Sequence, residues 1–468
     1  MRVRGGLDGK APDPLIPRAS AAGITSEQPP SLAPVLAAVV IASFGALAFG
    51  YHLGVVNGPL DAIAADLGFA GNAGLQGAVV SSLLAGAAVG SLGGSGLADT
   101  FGRRTTLLLD ALPMAAGALL SATATGLQAM IAGRFLAGIG IGLSSALVPL
   151  YISEVAPDRV RGALGSINQL VICVGIVAAL VVNVVVPAQS WRSMFMLATV
   201  PAAALGLGML TAPESPVWLA SKGRAAEADG AARRLWGPAA AGQLADTTAA
   251  GGSSRAAPVG LSELLGSRSV RVGMTLFLLQ QASGINAIVY FSSSVFEQAG
   301  IASAALASAA VGMSNVVGTV VAASLMDRAG RKQLLTLSFS GMGLSMLIMA
   351  VGLGLPSLAP YAGPVALVGT LAYIVSFALG AGPVPGLLVP EITPTRLRGK
   401  AVSASLATHW VVNLALGQLF LPALGAFGVS AVYLFFAGVC AATVAFTGSQ
   451  VVETKGLSLE EIEYAMGK

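Results

Sequence analysis

Long apolar runs separated by short polar breaks fill the chain from residue 33 onward. A helix needs about 20 apolar residues to cross the hydrocarbon core of a bilayer. Twelve runs qualify, at roughly 33–56, 75–98, 106–125, 128–152, 163–186, 194–212, 271–296, 302–326, 333–354, 361–389, 400–424 and 428–451. The sustained polar–apolar alternation of a transmembrane barrel strand is absent. The pattern predicts an all-α membrane protein with twelve transmembrane helices. A polar stretch divides them six and six. The expected units are a disordered segment (1–33), a six-helix bundle (34–212), a middle loop with short helices (213–270), a second six-helix bundle (271–451) and a tail (452–468). Within the middle loop, Ala249–Gly260 reads as linker and Leu261–Arg271 as a short surface helix.

Charge orients these spans. The loops after spans 2, 4, 8 and 10 carry Arg103, Arg104, Arg159, Arg161, Arg328, Arg331, Lys332, Arg396, Arg398 and Lys400. The middle loop and both termini fall on the same face, and the opposite loops are almost free of cations, Arg192 excepted. The positive-inside rule makes the cationic face cytosolic, or its topological equivalent. The net charge of +4 is this loop bias, so no nucleic-acid partner is expected. Composition agrees with the span count: 55% of residues are hydrophobic and 10% charged, and 60 glycines suit closely packed membrane helices. Cys173 and Cys440 lie in apolar runs and read as small core residues. No nucleotide loop, metal cluster or nucleophile–base pair appears, so neither a cofactor nor an enzyme is expected. Residues 1–33 lack an apolar signal core and contain Asp8, Asp13 and Glu27, which makes them a poor transit peptide.

The two halves repeat one another. "LADTFGRR" after span 2 matches "LMDRAGRK" after span 8, aligning Asp99 with Asp327 and Arg103 with Arg331. "SEVAPDRVRG" after span 4 matches "PEITPTRLRG" after span 10, aligning Glu154 with Glu391 and Arg161 with Arg398. Glu214 after span 6 matches Glu453 after span 12. Three motifs in one order indicate a duplicated six-helix unit, as in two-bundle transporters. Solvated loop charge is the bland reading of these acids and bases. The sharper one is a latch, pairing across the bundles to close the cytosolic side in one state.

The set "GRFLAGIGIG", "PESPVWL", "QQASGINAIVYFSSSVF", "MDRAGRK", "PEITPTRLRGKA" and "VETKG" resembles the sugar porter family of the major facilitator superfamily over residues 35–465. "FGYHLGVVNGPL", "LVPLYISE" and "LGAGPVPGLLVPEI" are most similar to the plastidic glucose transporters of plants and algae. The resemblance implies the major facilitator fold, a monomer in the plastid inner envelope, and a hexose, most simply glucose, as the transported molecule.

A neutral sugar presents hydroxyls that both donate and accept, so its site calls for amides rather than charges. Gln280, Gln281 and Asn286 cluster in span 7, with Gln169 in span 5, Asn315 in span 8, and Asn413 beside Trp410 in span 11. Helix–helix hydrogen bonding is the bland alternative, and it is preferred for Asn183 and Gln418. Ser283-Gly284 could break span 7 and turn both of its ends toward one cavity. In the family, the span 7 amides, the span 5 Gln and the span 8 Asn contact the sugar, and Tyr290 matches an outer gating aromatic. This sequence departs by having Ala378 and Gly386 where well-known glucose facilitators carry an acid and a Trp. It also has His409 in place of an Asn, read as a pocket wall. Pro383 and Pro385 mark a hinge in span 10.

His52 stands where proton-coupled relatives carry an Asp beside the span 4 arginine, here Arg134. A neighbouring cation and burial both disfavour an imidazolium. His52 is therefore expected to be a neutral hydrogen-bonding group, and facilitated uniport the mechanism. Asp110 is assigned to the charge network at the cytosolic end. Proton-coupled symport is the alternative. A non-transporting sugar sensor is the remote one, since only about 17 residues follow span 12.

Overall fold

The computed structural model describes residues 32–157, 160–237, 260–394, 396–457 and 459–467. The expected disordered segment (but for its last two residues) and linker (but for Gly260) lie outside them, as does Arg159. The first half comprises α1 (Ala33–Gly54), α2 (Leu60–Asp66), α3 (Ala73–Phe101), α4 (Arg103–Ala122), α5 (Leu127–Val155), α6 (Arg161–Val185), α7 (Trp191–Leu197) and α8 (Thr199–Met209). Short helices α9 (Pro216–Ser221), α10 (Ala225–Trp236) and α11 (Leu261–Gly266) follow. The second half contains α12 (Arg268–Ala282), α13 (Ile285–Gln298), α14 (Ala304–Ala329), α15 (Arg331–Gly354), α16 (Ala362–Ser376) and α17 (Val384–Ile392). A helical stretch over Arg398–Gln450 and a terminal helix, α20 (Leu459–Gly467), complete it.

Among the described residues, 11 helical stretches are long and apolar enough to cross a membrane. The last, Arg398–Gln450, has 53 residues, about 80 Å at 1.5 Å per residue, far more than one crossing needs. Gly428 breaks it with φ 79° and ψ 161°. It therefore holds two spans, α18 (398–427) and α19 (429–450), and the total is the twelve expected. One expectation changes: the surface helix ends at Gly266, Ser267 is extended, and Arg268–Arg271 already belong to α12.

Glycines let the helices approach closely. A Cβ on Gly86 of α3 would sit 2.0 Å from the Phe135 carbonyl oxygen of α5, and one on Gly138 of α5 would sit 2.0 Å from that of Leu83. In a bilayer, where lipid is as apolar as leucine, such backbone approach supplies much of the packing energy. The halves meet through α3 against α18, α6 against α14, and α1 against α13.

The sequence repeat recurs in three dimensions as a helix cap. Gly102 and Gly330 each take a positive φ, 95° and 85°, and start α4 and α15. Glu214 accepts from the backbone N–H groups of Arg103 and Arg104 at 2.9 and 3.0 Å. Glu453 accepts from those of Arg331 and Lys332 at 2.9 and 3.0 Å. A carboxylate at a helix N-terminus satisfies orphan donors and complements the dipole. Arg104 and Lys332 in turn donate to the Met209 and Gly448 carbonyls, at the far ends of α8 and α19.

Glu453 also accepts from Thr454 and Lys455 N–H. Partial burial raises its pKa, but the four backbone donors outweigh that and hold the carboxyl below its ordinary value. A folded value below the unfolded one gives stability that is present above the unfolded pKa, ~4.3 for Glu, and lost as pH falls through the folded value. Glu453→Gln should therefore lower the unfolding temperature at pH 7, with the gap to wild type narrowing below about pH 4. Thermal unfolding of purified protein between these limits tests it; a gap independent of pH would refute the assignment.

Candidate functional site

Span 7 breaks where the sequence suggested. Gly284 lies at φ 94° between α12 and α13. Ser283 Oγ donates to the Gln280 carbonyl at 2.6 Å, and Tyr373 of α16 donates to the Ser283 carbonyl at 3.0 Å. The break brings the span 7 amides into one line. Asn286 Nδ2 donates to Gln281 Oε1 at 2.5 Å, and Gln281 Nε2 to Gln280 Oε1 at 3.2 Å. Gln280 Nε2 donates to the Ala381 carbonyl at 2.5 Å. Gln280 and Gln281 are almost fully buried, whereas Asn286 is half-buried.

The other expected contact residues lie on α6, α14 and α18. On α18, Asn413 Oδ1 accepts from the Tyr290 hydroxyl at 3.3 Å. Trp410 is buried against Phe49 of α1, with ring centroids 5.7 Å apart. His409 packs edge-on to Trp410 at 4.8 Å and to Phe277 at 5.8 Å. On α6, Gln169 Nε2 reaches Cys173 Sγ at 3.6 Å, and that sulfur lies 3.6 Å from Thr319 Oγ1 of α14. Thr319 in turn donates to the Asn315 carbonyl. These side chains are amides, hydroxyls and aromatics, a set suited to a neutral polyol.

Span 10 is broken as well. A π-turn over Phe377–Ala381 follows α16, and the chain restarts as α17 after Pro383. Pro385 lies in the first turn of α17, where a missing N–H is tolerated.

Arg134 is fully buried. It donates to the main-chain carbonyls of His52 and Val79, at 3.0 and 3.4 Å, and lies over the Phe195 ring. It thus meets the backbone of His52 rather than its imidazole, and both ring nitrogens of His52 are buried without a protein partner. The hydrogen-bonding role expected of that ring is not formed in this conformation. Asp110 also departs from expectation. It is fully buried between α4 and α5 and accepts from Ser144 Oγ at 2.5 Å, so it belongs to the bundle interior and not to the cytosolic charge network.

Two charge pairs of the repeated motifs form, one in each half. Arg103 forms a bidentate pair with Glu154, at 2.9 and 3.0 Å, and a third bond to Asp99 at 3.0 Å. Arg331 pairs with Glu391 at 3.1 Å, and Thr454 donates to the second oxygen of that carboxylate. Glu214 and Glu453 serve as helix caps instead of latch partners, because backbone N–H groups already occupy them. Arg161 and Arg398 open α6 and α18. The side chain of Asp327 lies outside the described residues.

At the opposite face the halves are joined. Asn57, just beyond α1, donates to the Val289 carbonyl and to Ser292 Oγ of α13, and accepts from Ser293 N–H. Gln418 of α18 accepts from Ser81 Oγ at 2.8 Å and donates to the Gly74 carbonyl at 3.0 Å, both on α3. Asn183 makes the expected helix–helix bond, to the Gly54 carbonyl. Asn57 was missed. It sits in the motif "GVVNGPL", but an amide just past the end of an apolar run reads as loop. The outer side is thus closed by polar contacts between halves, while on the cationic side the Arg103–Glu154 and Arg331–Glu391 pairs each lie within one half.

The family model "Sugar (and other) transporter" matches residues 38–466. The chain belongs to this sugar transporter family. It is 54% identical over 438 residues to Plastidic glucose transporter 4 of Arabidopsis thaliana, covering 92% of this chain and 80% of that protein. The inward open conformation of the xylose transporter XylE from E. coli matches with TM-score 0.80 and 28% identity, covering 92% of this chain and 99% of the other. The proton:xylose symporter XylE bound to 6-bromo-6-deoxy-D-glucose matches with TM-score 0.74 and 28% identity, over 93% of this chain and 99% of the other. The better fit to the inward open form agrees with an outer side sealed by Asn57 and Gln418. This sugar transporter is accordingly a multi-pass membrane protein of the major facilitator fold that works by alternating access.

Proposed function

We propose that the chain is a facilitative hexose transporter carrying glucose across the plastid inner envelope. The observation that carries this reading is the line of span 7 amides, Gln280, Gln281 and Asn286, a neutral hydrogen-bonding array inside the membrane-spanning helices. Kinship with a plastidic glucose transporter supports both the sugar and the compartment. Gln281 and Asn286 face hydroxyls of the bound sugar, Gln169 and Asn315 close the opposite wall, and Tyr290 shuts the outer path. Gln281→Ala and Asn286→Ala should each weaken glucose binding by about 1–3 kcal/mol, the range for a buried hydrogen bond lost with its partner left unpaired. That is roughly tenfold or more in affinity. Counterflow in proteoliposomes reads it, and unchanged affinity in both variants would remove them from the pocket.

Uniport rests on the His52–Arg134 pair. Arg134 is held by main-chain carbonyls, and His52 offers it no carboxylate whose protonation could release it. With a pH gradient imposed on proteoliposomes, glucose should equilibrate without accumulating. Accumulation that collapses with a protonophore would overturn uniport. One observation favours symport, the buried carboxyl of Asp110. That reading requires such accumulation in wild type and its loss in Asp110→Asn.

A further inference from the structure

Span 10 carries no polar side chain from Phe377 to Pro390. A sugar therefore has no side-chain hydroxyl, amide or charge in this stretch to pull on, yet the stretch contains the π-turn and both hinge prolines. Among the described residues, the one side-chain amide that reaches its backbone comes from span 7. In a continuous α-helix the carbonyl of residue 381 would accept from the N–H of residue 385. Residue 385 is proline, which has no N–H. The orphaned Ala381 carbonyl is buried, and Gln280 Nε2 supplies its donor at 2.5 Å, with a longer contact of 3.4 Å to the Gly382 carbonyl. The N–H of the same residue, Ala381, donates to Ser338 Oγ of α15 at 2.8 Å. Ser338 Oγ donates in turn to the Ser376 carbonyl. The hinge backbone is thus pinned from two sides, and only the Gln280 side connects to the Gln281–Asn286 amides.

We propose that Gln280 is a positioning residue that couples sugar occupancy to the α16–α17 hinge, by supplying the hydrogen bond that Pro385 denies to the Ala381 carbonyl and withdrawing it when sugar draws on the amide line. The coupling half of this rests on the sugar-site reading above; the pin itself does not. Gln280 Oε1 already accepts from Gln281, and the Gln280 amide nitrogen is directed at the two span 10 carbonyls. A sugar hydroxyl that takes the Gln281 amide, or Gln280 itself, must reorganise that arrangement. Loss of the donor leaves a buried carbonyl unsatisfied, a cost relieved by letting α17 swing. The cytosolic half of span 10 can then move without any direct sugar contact of its own.

Hydrogen–deuterium exchange on the full chain in nanodiscs, with D-glucose as probe, tests both halves. Without sugar, Gln280→Met should speed exchange over residues 377–392 by about tenfold, the equivalent of one buried hydrogen bond. Gln280→Leu, a second shape without the donor, should do the same. Adding Pro385→Ala to Gln280→Met restores an N–H at position 385 and should return exchange toward the wild-type rate. Glucose should speed exchange over this segment in wild type and add nothing in Gln280→Met. Wild-type exchange rates in both single variants would overturn the pin, and so would failure of Pro385→Ala to slow the double variant. Saturating glucose that leaves wild-type exchange over 377–392 unchanged would overturn the coupling. If glucose does not bind wild type at all, the sugar-site reading and the coupling fail together, and the sugar-free variants still decide the pin.

Discussion

Gly284→Val should abolish glucose counterflow and lower the unfolding temperature, although it adds only apolar atoms to an apolar surrounding. Gly284 sits at φ 94°. An L-residue there costs roughly 1–2 kcal/mol from the clash of Cβ with the backbone alone, and a β-branched one is a worse fit still. A Cβ built at this position also lies 2.7 Å from Cδ2 of the Phe436 ring. Overpacking of this kind costs about 1–3 kcal/mol, because Phe436 is itself buried and stacked on Phe420. The cheapest relief is to move the α12–α13 break. That shifts Asn286 relative to Gln281 and dismantles the amide line, so transport suffers beyond the loss of stability. Gly300→Ala separates the two effects. Its φ is 79° and nothing lies within 4 Å of its Cβ, so only the backbone cost applies and transport should survive. Counterflow within twofold of wild type in Gly284→Val would show that the break does not set the site.

The fold was legible because its signals are local and repeated. Apolar runs long enough to span a bilayer, cations confined to alternate loops, and matched motifs in the two halves all survive without knowledge of contacts. The Ser283-Gly284 break was legible for the same reason, since a Gly between amides has few other uses. What stayed hidden depends on which atoms meet. Glu214 and Glu453 read as latch charges because a loop carboxylate gives no sign that backbone N–H groups of another helix will claim it. Asp110, seven residues from Arg103, read as part of a charge network, but its side chain points into the α4–α5 contact and bonds Ser144. His52 and Arg134 were correctly drawn together, yet their contact runs through a carbonyl that every residue possesses. The Gln280 pin was out of reach altogether: it joins an amide in span 7 to a carbonyl in span 10 left bare by a proline four residues on. Period and composition cannot report a pairing of that kind.

The gate at Asn57 leads to the second large effect. Asn57→Ala should shift the transporter from its outward-closed form toward an outward-open one. Asn57 is 2% exposed and makes three hydrogen bonds to α13. Ser292 and Ser293 hydroxyls in turn share Ser308 of α14 at 2.9 Å, so this single amide from the first half is tied into a polar cluster of the second. In the closed form, alanine would remove three hydrogen bonds that join the halves, whereas the outward-open form makes none of them and loses nothing. The penalty falls on one state only. Each such bond is worth about 0.5–1.5 kcal/mol net, and together they move the equilibrium on the order of tenfold or more. A ligand or a mutation shifts a two-state population only through such a difference between states. Spin labels at Ala70→Cys and Ala302→Cys, exposed positions on the outer side of the two halves, report the change as an added population at longer distance. Gln418 remains to hold α3 against α18, so opening should be partial, and Gln418→Ala should add to it. A distance distribution identical to wild type in the double variant would show that the outer side is held shut by apolar packing alone, with these amides as bystanders.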